Sequence, residues 1–334
     1  MVQAMTIEQH LLNDYQHGFP LVPMPYRHIA DELNTDTQTI LELLKKLNAQ
    51  GEVSRVGPVF RPNTIGNSTL AAMSIPTDKL TEIATLVNEF SEVNHNYERE
   101  HHLNLWFVVA ASSQETVDKV LDDIQEKTGY KVLNLPLLKE YHIDLGFSMN
   151  DKPKKKVSQS DTSKIINQHD IDLIQNKQLI AAIQTGLPLT ERPYFEIGER
   201  LGISEQAVIT KISTLKMAGV IRRMGVVVRH HELGYRANAM LVWDVPDDKV
   251  DELGRKLGAE DEVTLCYQRP RIKPRWPYNL FSMIHGKNRD DVMAYIEQLV
   301  KKLALENTPY EILFSRQRFK QCGAHYIAKD KALV

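Results

Sequence analysis

Apolar and polar positions along the chain follow two regimes that alternate. Ile29, Ala30 and Leu33 are spaced as on a helix face. After the polar Asn34-Thr35-Asp36 come Ile40, Leu41, Leu43, Leu44 and Leu47, closed by Gly51. Steps of three and four place each set on one side of a helix, so the stretch predicts two amphipathic helices joined by a short turn, the helix-turn-helix pattern. The alternating Glu52-Val53-Ser54-Arg55-Val56 then predicts a strand of a wing. Beyond it the pattern predicts strands over Thr69–Ile75, Leu105–Ala111 and Lys131–Leu137, and helices over Lys79–Phe90 and Gln114–Lys127. With a further strand around His95 to Tyr97, this is the β-α-β-β-α-β order of a ferredoxin-like domain.

The whole arrangement occurs twice. Residues 11–73 align without a gap on 179–241. Gln16, Gly18, Pro20 and Leu21 answer Gln184, Gly186, Pro188 and Leu189, and Pro25-Tyr26 answers Pro193-Tyr194. Gly51, Arg55, Gly57, Val59, Arg61 and Gly66 answer Gly219, Arg223, Gly225, Val227, Arg229 and Gly234. After a two-residue shift Val93, Tyr97 and Arg99 meet Val263, Tyr267 and Arg269, and after a five-residue insertion Asn104-Leu105 meets Asn279-Leu280. The second helix-turn-helix reads through Ile197–Ser204 and then Val208, Ile209, Ile212 and Leu215, closed by Gly219, with Val226-Val227-Val228 as its strand. The polar, lysine-rich segment between the copies reads as a tether. The expectation is an α+β chain: winged helix-turn-helix over 6–62, ferredoxin-like domain over 63–148, linker over 149–170, and the same pair over 171–230 and 231–330, with the copies packed through their sheets.

Composition narrows the classes. The chain has 334 residues, 42% hydrophobic and 25% charged, close to a soluble globular average. A formal charge of -2 attracts neither nucleic acid nor anionic lipid globally, so any anion must be met locally. Two cysteines, Cys266 and Cys322, without C-x-x-C spacing argue against a disulfide framework or a structural zinc, and no metal site is expected. The first residues lack a basic then apolar leader, and no run of 18 apolar residues occurs, so a cytoplasmic chain with no membrane partner is expected.

A winged helix followed by an α+β sheet domain resembles the Lrp/AsnC family of regulators. A DNA reader needs base-reading and phosphate-binding side chains on its second helix. Here the helices offer Thr37-Gln38-Thr39-Ile40-Leu41-Glu42 and Ser204-Glu205-Gln206-Ala207-Val208-Ile209, without a basic stripe. Specific DNA binding is therefore not expected; a tetrapyrrole- or amino-acid-sensing regulator is the alternative reading.

The densest chemistry lies between the middle strands. Copy one carries Tyr97-Glu98-Arg99-Glu100-His101-His102-Leu103-Asn104-Leu105-Trp106-Phe107. Copy two carries Arg269-Pro270-Arg271-Ile272-Lys273-Pro274-Arg275-Trp276-Pro277-Tyr278-Asn279-Leu280-Phe281. These strings resemble those of the siroheme decarboxylases, as two partner subunits fused in one polypeptide. The resemblance implies removal of two acetate carboxyls from siroheme, with no separate cofactor because the iron belongs to the substrate. Arginine suits the substrate's carboxylates because its planar fork binds them bidentately. The expected substrate-binding residues are Arg55, Arg61, Arg99, Arg223, Arg229, Arg269 and Arg271, with Asn104, Trp106, Tyr267, Trp276 and Asn279. Protonation near neutral pH selects histidine. His101 is the foremost expected acid, with His95, Tyr97 and His142 as further catalytic candidates and His230, His231, His285 and His325 as loose equivalents in copy two. Where copy one has Glu100-His101, copy two has Pro270-Arg271, so one productive pocket is expected rather than two equal ones. A homo-oligomer through the sheet domains is a further expectation.

Overall fold

The computed structural model describes residues 5–143, 173–229, 235, 237–324 and 326–327. The expected linker over 149–170 and His230, His231 and His325 lie outside the described residues. In chain order the first copy forms α1 (Ile7–Asn13), α2 (Pro25–Glu32), α3 (Thr37–Ala49), β1 (Val53–Phe60), β2 (Asn67–Met73), α4 (Leu80–Asn88), β3 (Val93–Arg99), β4 (Leu105–Ala111), α5 (Gln114–Thr128), β5 (Leu133–Pro136) and β6 (Lys139–Ile143). The second forms α6 (Leu173–Ile183), α7 (Pro193–Leu201), α8 (Glu205–Met217), β7 (Ile221–Val228), β8 (Ala237–Trp243), α9 (Val250–Ala259), β9 (Val263–Gln268), β10 (Leu280–Gly286), α10 (Arg289–Lys302) and β11 (Tyr310–Gln321).

Two compact units result, and they cut across the duplication. One comprises Met1–Gly66, Gly146–Leu233 and His325–Val334; the other comprises Asn67–Leu145 and Gly234–Ala324. Like halves of the two copies thus fold together.

In the first unit the helix-turn-helix segments form where the apolar spacing requires. Asp36 accepts from the Thr39 N–H to cap α3, and Ser204 accepts from the Ala207 N–H to cap α8. Ile40, Leu44 and Leu47 are buried on α3, and Val208, Ile212 and Leu215 on α8. The strand after each pair departs from the expected wing. β1 and β7 do not fold within their own copies but pair antiparallel with each other. The physical reason is that among the described residues each copy supplies one strand here, and its counterpart provides the ladder. Gly57 stands opposite Gly225, its own equivalent in the repeat, so the ribbon meets itself about a local two-fold axis. Both positions need glycine: an added Cβ would lie 2.9 Å from the Gly186 Cα at Gly57, and 2.1 Å from the Gln16 carbonyl oxygen at Gly225.

The second unit is one nine-stranded sheet in the order β5-β2-β4-β3-β11-β8-β10-β9-β6, where two separate sheets were expected. Two exchanges fuse them. β6 leaves its own copy to pair with β9, and the long β11 pairs with β8 over Tyr310–Phe314 and with β3 over Ser315–Gln321. β5 and β6 lie at opposite edges yet are joined only by Leu137 and Leu138. Three Cα steps reach about 11 Å, so the edges must approach each other and the sheet curls round. Helices α4 and α5 pack on the outer face of the first half, around Phe107, Val109 and Ile124, while α9 and α10 cover the second, around Trp243, Leu257 and Ile296. The inner face holds a separate core of Leu70, Trp106, Leu135, Met240, Tyr267, Trp276, Phe281, Met283 and Leu313, to which both copies contribute.

Candidate active site

Strand alternation decides which expected residues reach the inner face. On β4, Leu105, Phe107 and Val109 face the helices and Trp106 faces inward. Tyr97 stands opposite Trp106 and His95 opposite Val108, which packs against the inner core; directly opposed residues share a face, so both point inward, with Arg99 two residues on. A register shift between Val93 and His95 produces this turn-over, because Val93 itself belongs to the outer core. His95 and Tyr97 stack with ring centroids 6.3 Å apart, and His95 Nδ1 lies 2.5 Å from Asn94 Oδ1.

Arg99 and Arg269, equivalent in the repeat, are 8% and 9% exposed. Arg99 donates to the Leu313 carbonyl at 2.9 Å and lies 3.9 Å from Met283 Sδ. Arg269 donates to the Leu135 carbonyl, and its guanidinium lies 4.6 Å from the Tyr267 ring centroid, while its buried Nε has no acceptor among the described residues. Among the described residues neither is paired with a carboxylate. Burial pushes the Arg99 guanidinium down to about 10 and lowers Arg269 as well.

Trp276, fully buried, packs at 5.3 Å from Trp106, 5.0 Å from Tyr278, 5.9 Å from Phe281 and 5.7 Å from His101, and its indole N–H has no acceptor among the described residues. It arrives there on the Pro270–Tyr278 loop, five residues longer than its Glu100–Leu103 counterpart. His101 occupies that shorter turn with its side chain only 8% exposed. The Leu103 N–H donates to Nδ1 at 3.0 Å, so the ring proton sits on Nε2, which lies 2.8 Å from Glu311 Oε2. Burial and the neighbouring His102, 4.0 Å away, lower the His101 pKa, and Glu311 opposes them. Tyr278 donates to the same carboxylate; its own pKa is raised by burial and then by Glu311.

Other expected residues are placed differently. Asn104 accepts from the Ile75 N–H at 2.9 Å and donates to the Ile75 carbonyl at 2.8 Å; Asn279 does the same to Val245 at 3.0 and 2.9 Å. They fix the turn after β2 and β8 rather than offering amides to a ligand. Because Ile75 and Val245 are equivalent, the two-residue shift falls before these strands, not after residue 73. Arg271, at the position of His101, is held by Asp244 at 2.8 Å, by Asp247 and by the Val245 carbonyl. His142 stands opposite Cys266 of the helix-covered core, with its Cβ against Gly258 of α9, so it faces away from the inner core. Arg55, Arg61, Arg223 and Arg229 belong to the first unit. There Arg55 donates to the Pro58 carbonyl, Arg223 to that of Gln16 and Arg229 to that of Gly51; the buried Arg61 Nε has no acceptor among the described residues. Glu311 was not foreseen. It has no motif, and only the register of β11 carries it to His101.

Fold and site define the class, a tandem Lrp/AsnC-like protein with an aromatic, arginine-bearing sheet interior. The AsnC-like ligand binding domain model matches residues 65–142 and 232–320, and the siroheme decarboxylase NirDL-like HTH domain model matches 8–53 and 176–222. The siroheme decarboxylase NirDL subunit of Paracoccus pantotrophus is 38% identical over 95% of this chain and 96% of that protein. The NirL subunit of siroheme decarboxylase from Stutzerimonas stutzeri is 48% identical over 48% of this chain and 95% of its own length. A crystal structure of siroheme decarboxylase NirDL in complex with an iron-uroporphyrin III analogue superposes with a TM-score of 0.67 at 29% identity, covering 98% of this chain and 95% of that one. The chain belongs to the siroheme decarboxylase NirDL family. No helix among the described residues is long and apolar enough to cross a membrane.

Proposed function

We propose that this chain is a carboxy-lyase that removes the acetate carboxyls of rings C and D of siroheme, giving 12,18-didecarboxysiroheme and carbon dioxide. The observation that carries this is the pair Arg99 and Arg269, equivalent in the repeat, buried in an aromatic interior and unmatched by any carboxylate among the described residues. A buried cation costs several kcal/mol unless an anion meets it, and siroheme brings eight carboxylates. The same interior holds Trp106, Trp276, Tyr267 and Phe281, the apolar side chains that would pack against a macrocycle.

Each decarboxylation breaks the bond between the acetate methylene and its carboxylate. The electron pair stays on carbon, carbon dioxide leaves, and one proton turns the methylene into methyl. The pyrrole accepts electrons once protonated, so the protein must supply an acid but no separate cofactor. His101 is the acid of this reading: it lies two residues from Arg99 and packs against Trp276, its side chain shielded from solvent. The arginines bind propionates, since clamping the departing carboxylate would stabilise the ground state more than the transition state. His95 and Tyr97, on the same face, complete the inner lining.

Anaerobic incubation of the protein with siroheme, followed by mass analysis of the tetrapyrrole, tests the reading. Loss of two carbon dioxides per siroheme is expected. Binding without mass loss, together with a shifted DNA fragment, would make the chain a tetrapyrrole-sensing regulator instead.

A further inference from the structure

His101 belongs to the first copy, but the group at its Nε2 comes from the second. Glu311 stands opposite Val242 in the pairing of β11 with β8, and Val242 belongs to the inner core, so Glu311 takes that face. It sits one residue from the start of β11, with 46% of its side chain exposed, at the margin of the core rather than within it. Tyr278, from the long loop of the same copy, donates to Glu311 and packs against Trp276. The groups facing the His101 ring are thus His102 from its own turn, Glu311 from β11 and Trp276 from the loop, with Tyr278 acting through Glu311 and Asp244 acting on Tyr278.

These contacts pull in opposite directions. Burial and His102 favour the neutral ring. The Glu311 carboxylate favours imidazolium.

We propose that Glu311, oriented by Tyr278, is the positioning residue of the His101 acid, fixing one ring proton on Nε2 and making the imidazolium attainable. The proposal rests on the reading of His101 as the acid. The imidazolium gives one proton to the substrate carbon, and the ring returns to the neutral form that Glu311 and the Leu103 N–H define. One proton leaves the ring for each carbon dioxide released, and solvent replaces it before the next step. The second copy therefore completes the acid of the first.

The test begins without substrate, by ¹⁵N-histidine NMR titration of the full chain. Wild type should show the His101 resting proton on Nε2, and Glu311→Gln should move its midpoint to lower pH, with Glu311→Asp recovering part of the shift. In turnover with siroheme, Glu311→Gln should lower kcat about tenfold or more above the midpoint, as loss of a close opposite charge implies, and leave KM within about threefold. An unchanged midpoint in both variants, or a resting proton on Nδ1, would overturn the proposal. Should the midpoint shift while wild type fails to decarboxylate siroheme, the pairing stands and the functional reading falls.

Discussion

Replacing Asn279 by alanine separates a structural role from a ligand-binding one. Asn279 and Val245 are each 2% exposed, and the side chain accepts from the Val245 N–H at 3.0 Å while donating to the Val245 carbonyl at 2.9 Å and to Asp247 at 3.1 Å. Alanine orphans a buried N–H, which costs about 1–3 kcal/mol, and removes a bond to a carbonyl still held by Arg271, worth about 1 kcal/mol. The expected loss is about 2–4 kcal/mol. A folding unit of this size shifts its melting point by about 2–4 °C per kcal/mol, so calorimetry should show a drop of roughly 4–16 °C. Hydrogen exchange should accelerate at the Val245 amide. Siroheme affinity of the folded variant, by absorbance titration, should stay within about threefold. Unchanged stability with lost siroheme binding would show that the amide serves the substrate and refute the reasoning.

His101→Phe should keep siroheme binding and lower turnover about 10²- to 10⁴-fold, measured as carbon dioxide release. The His101 pKa lies below its unfolded value of about 6.5, so the unfolded chain binds the proton first as pH falls. Denaturant midpoints should therefore decline from pH 7 downward through the folded pKa, and less so in His101→Phe. Arg99→Met should leave the fold intact or stabilise it, yet weaken siroheme binding about tenfold or more, read by titration. Gly225→Ala forces a Cβ against the Gln16 carbonyl, so thermal unfolding should show the first unit destabilised by more than the ~1 kcal/mol that such a change gains at a compatible site.

Much of the local structure is legible in the chain. The helices α3 and α8 follow directly from Ile40–Leu47 and Val208–Leu215, and the repeat itself announces that Arg99 and Arg269 are equivalents. Periodicity says nothing of partners, however. Nothing in Val53–Phe60 shows that its ladder lies in the other copy, or in Lys139–Ile143 that it crosses to a foreign sheet, because pairing is decided by closure in three dimensions. The motif string gathers Tyr97, Arg99, Arg269 and Trp276 toward the inner core, with His101 packed against Trp276. It also includes Asn104, Asn279 and Arg271, which hold backbone turns, since a residue that shapes a site and one that touches a ligand look alike in one dimension. Glu311 is the converse case, an isolated acidic residue in Tyr310-Glu311-Ile312 whose neighbour appears only in the β11 register.

The exchange of β6 and β11 bears on how such a chain can be divided. Severed within the 149–170 segment, each half would keep its own helices and most of its strands, yet would expose a foreign edge and lack the strand that covers it. Neither fragment could close the curled sheet alone, whereas together they would restore every ladder across a chain break. The covalent link raises the local concentration of two complementary pieces. Dilution should separate cut halves and leave the joined chain untouched, so the covalent link turns a concentration-dependent assembly into a unimolecular one.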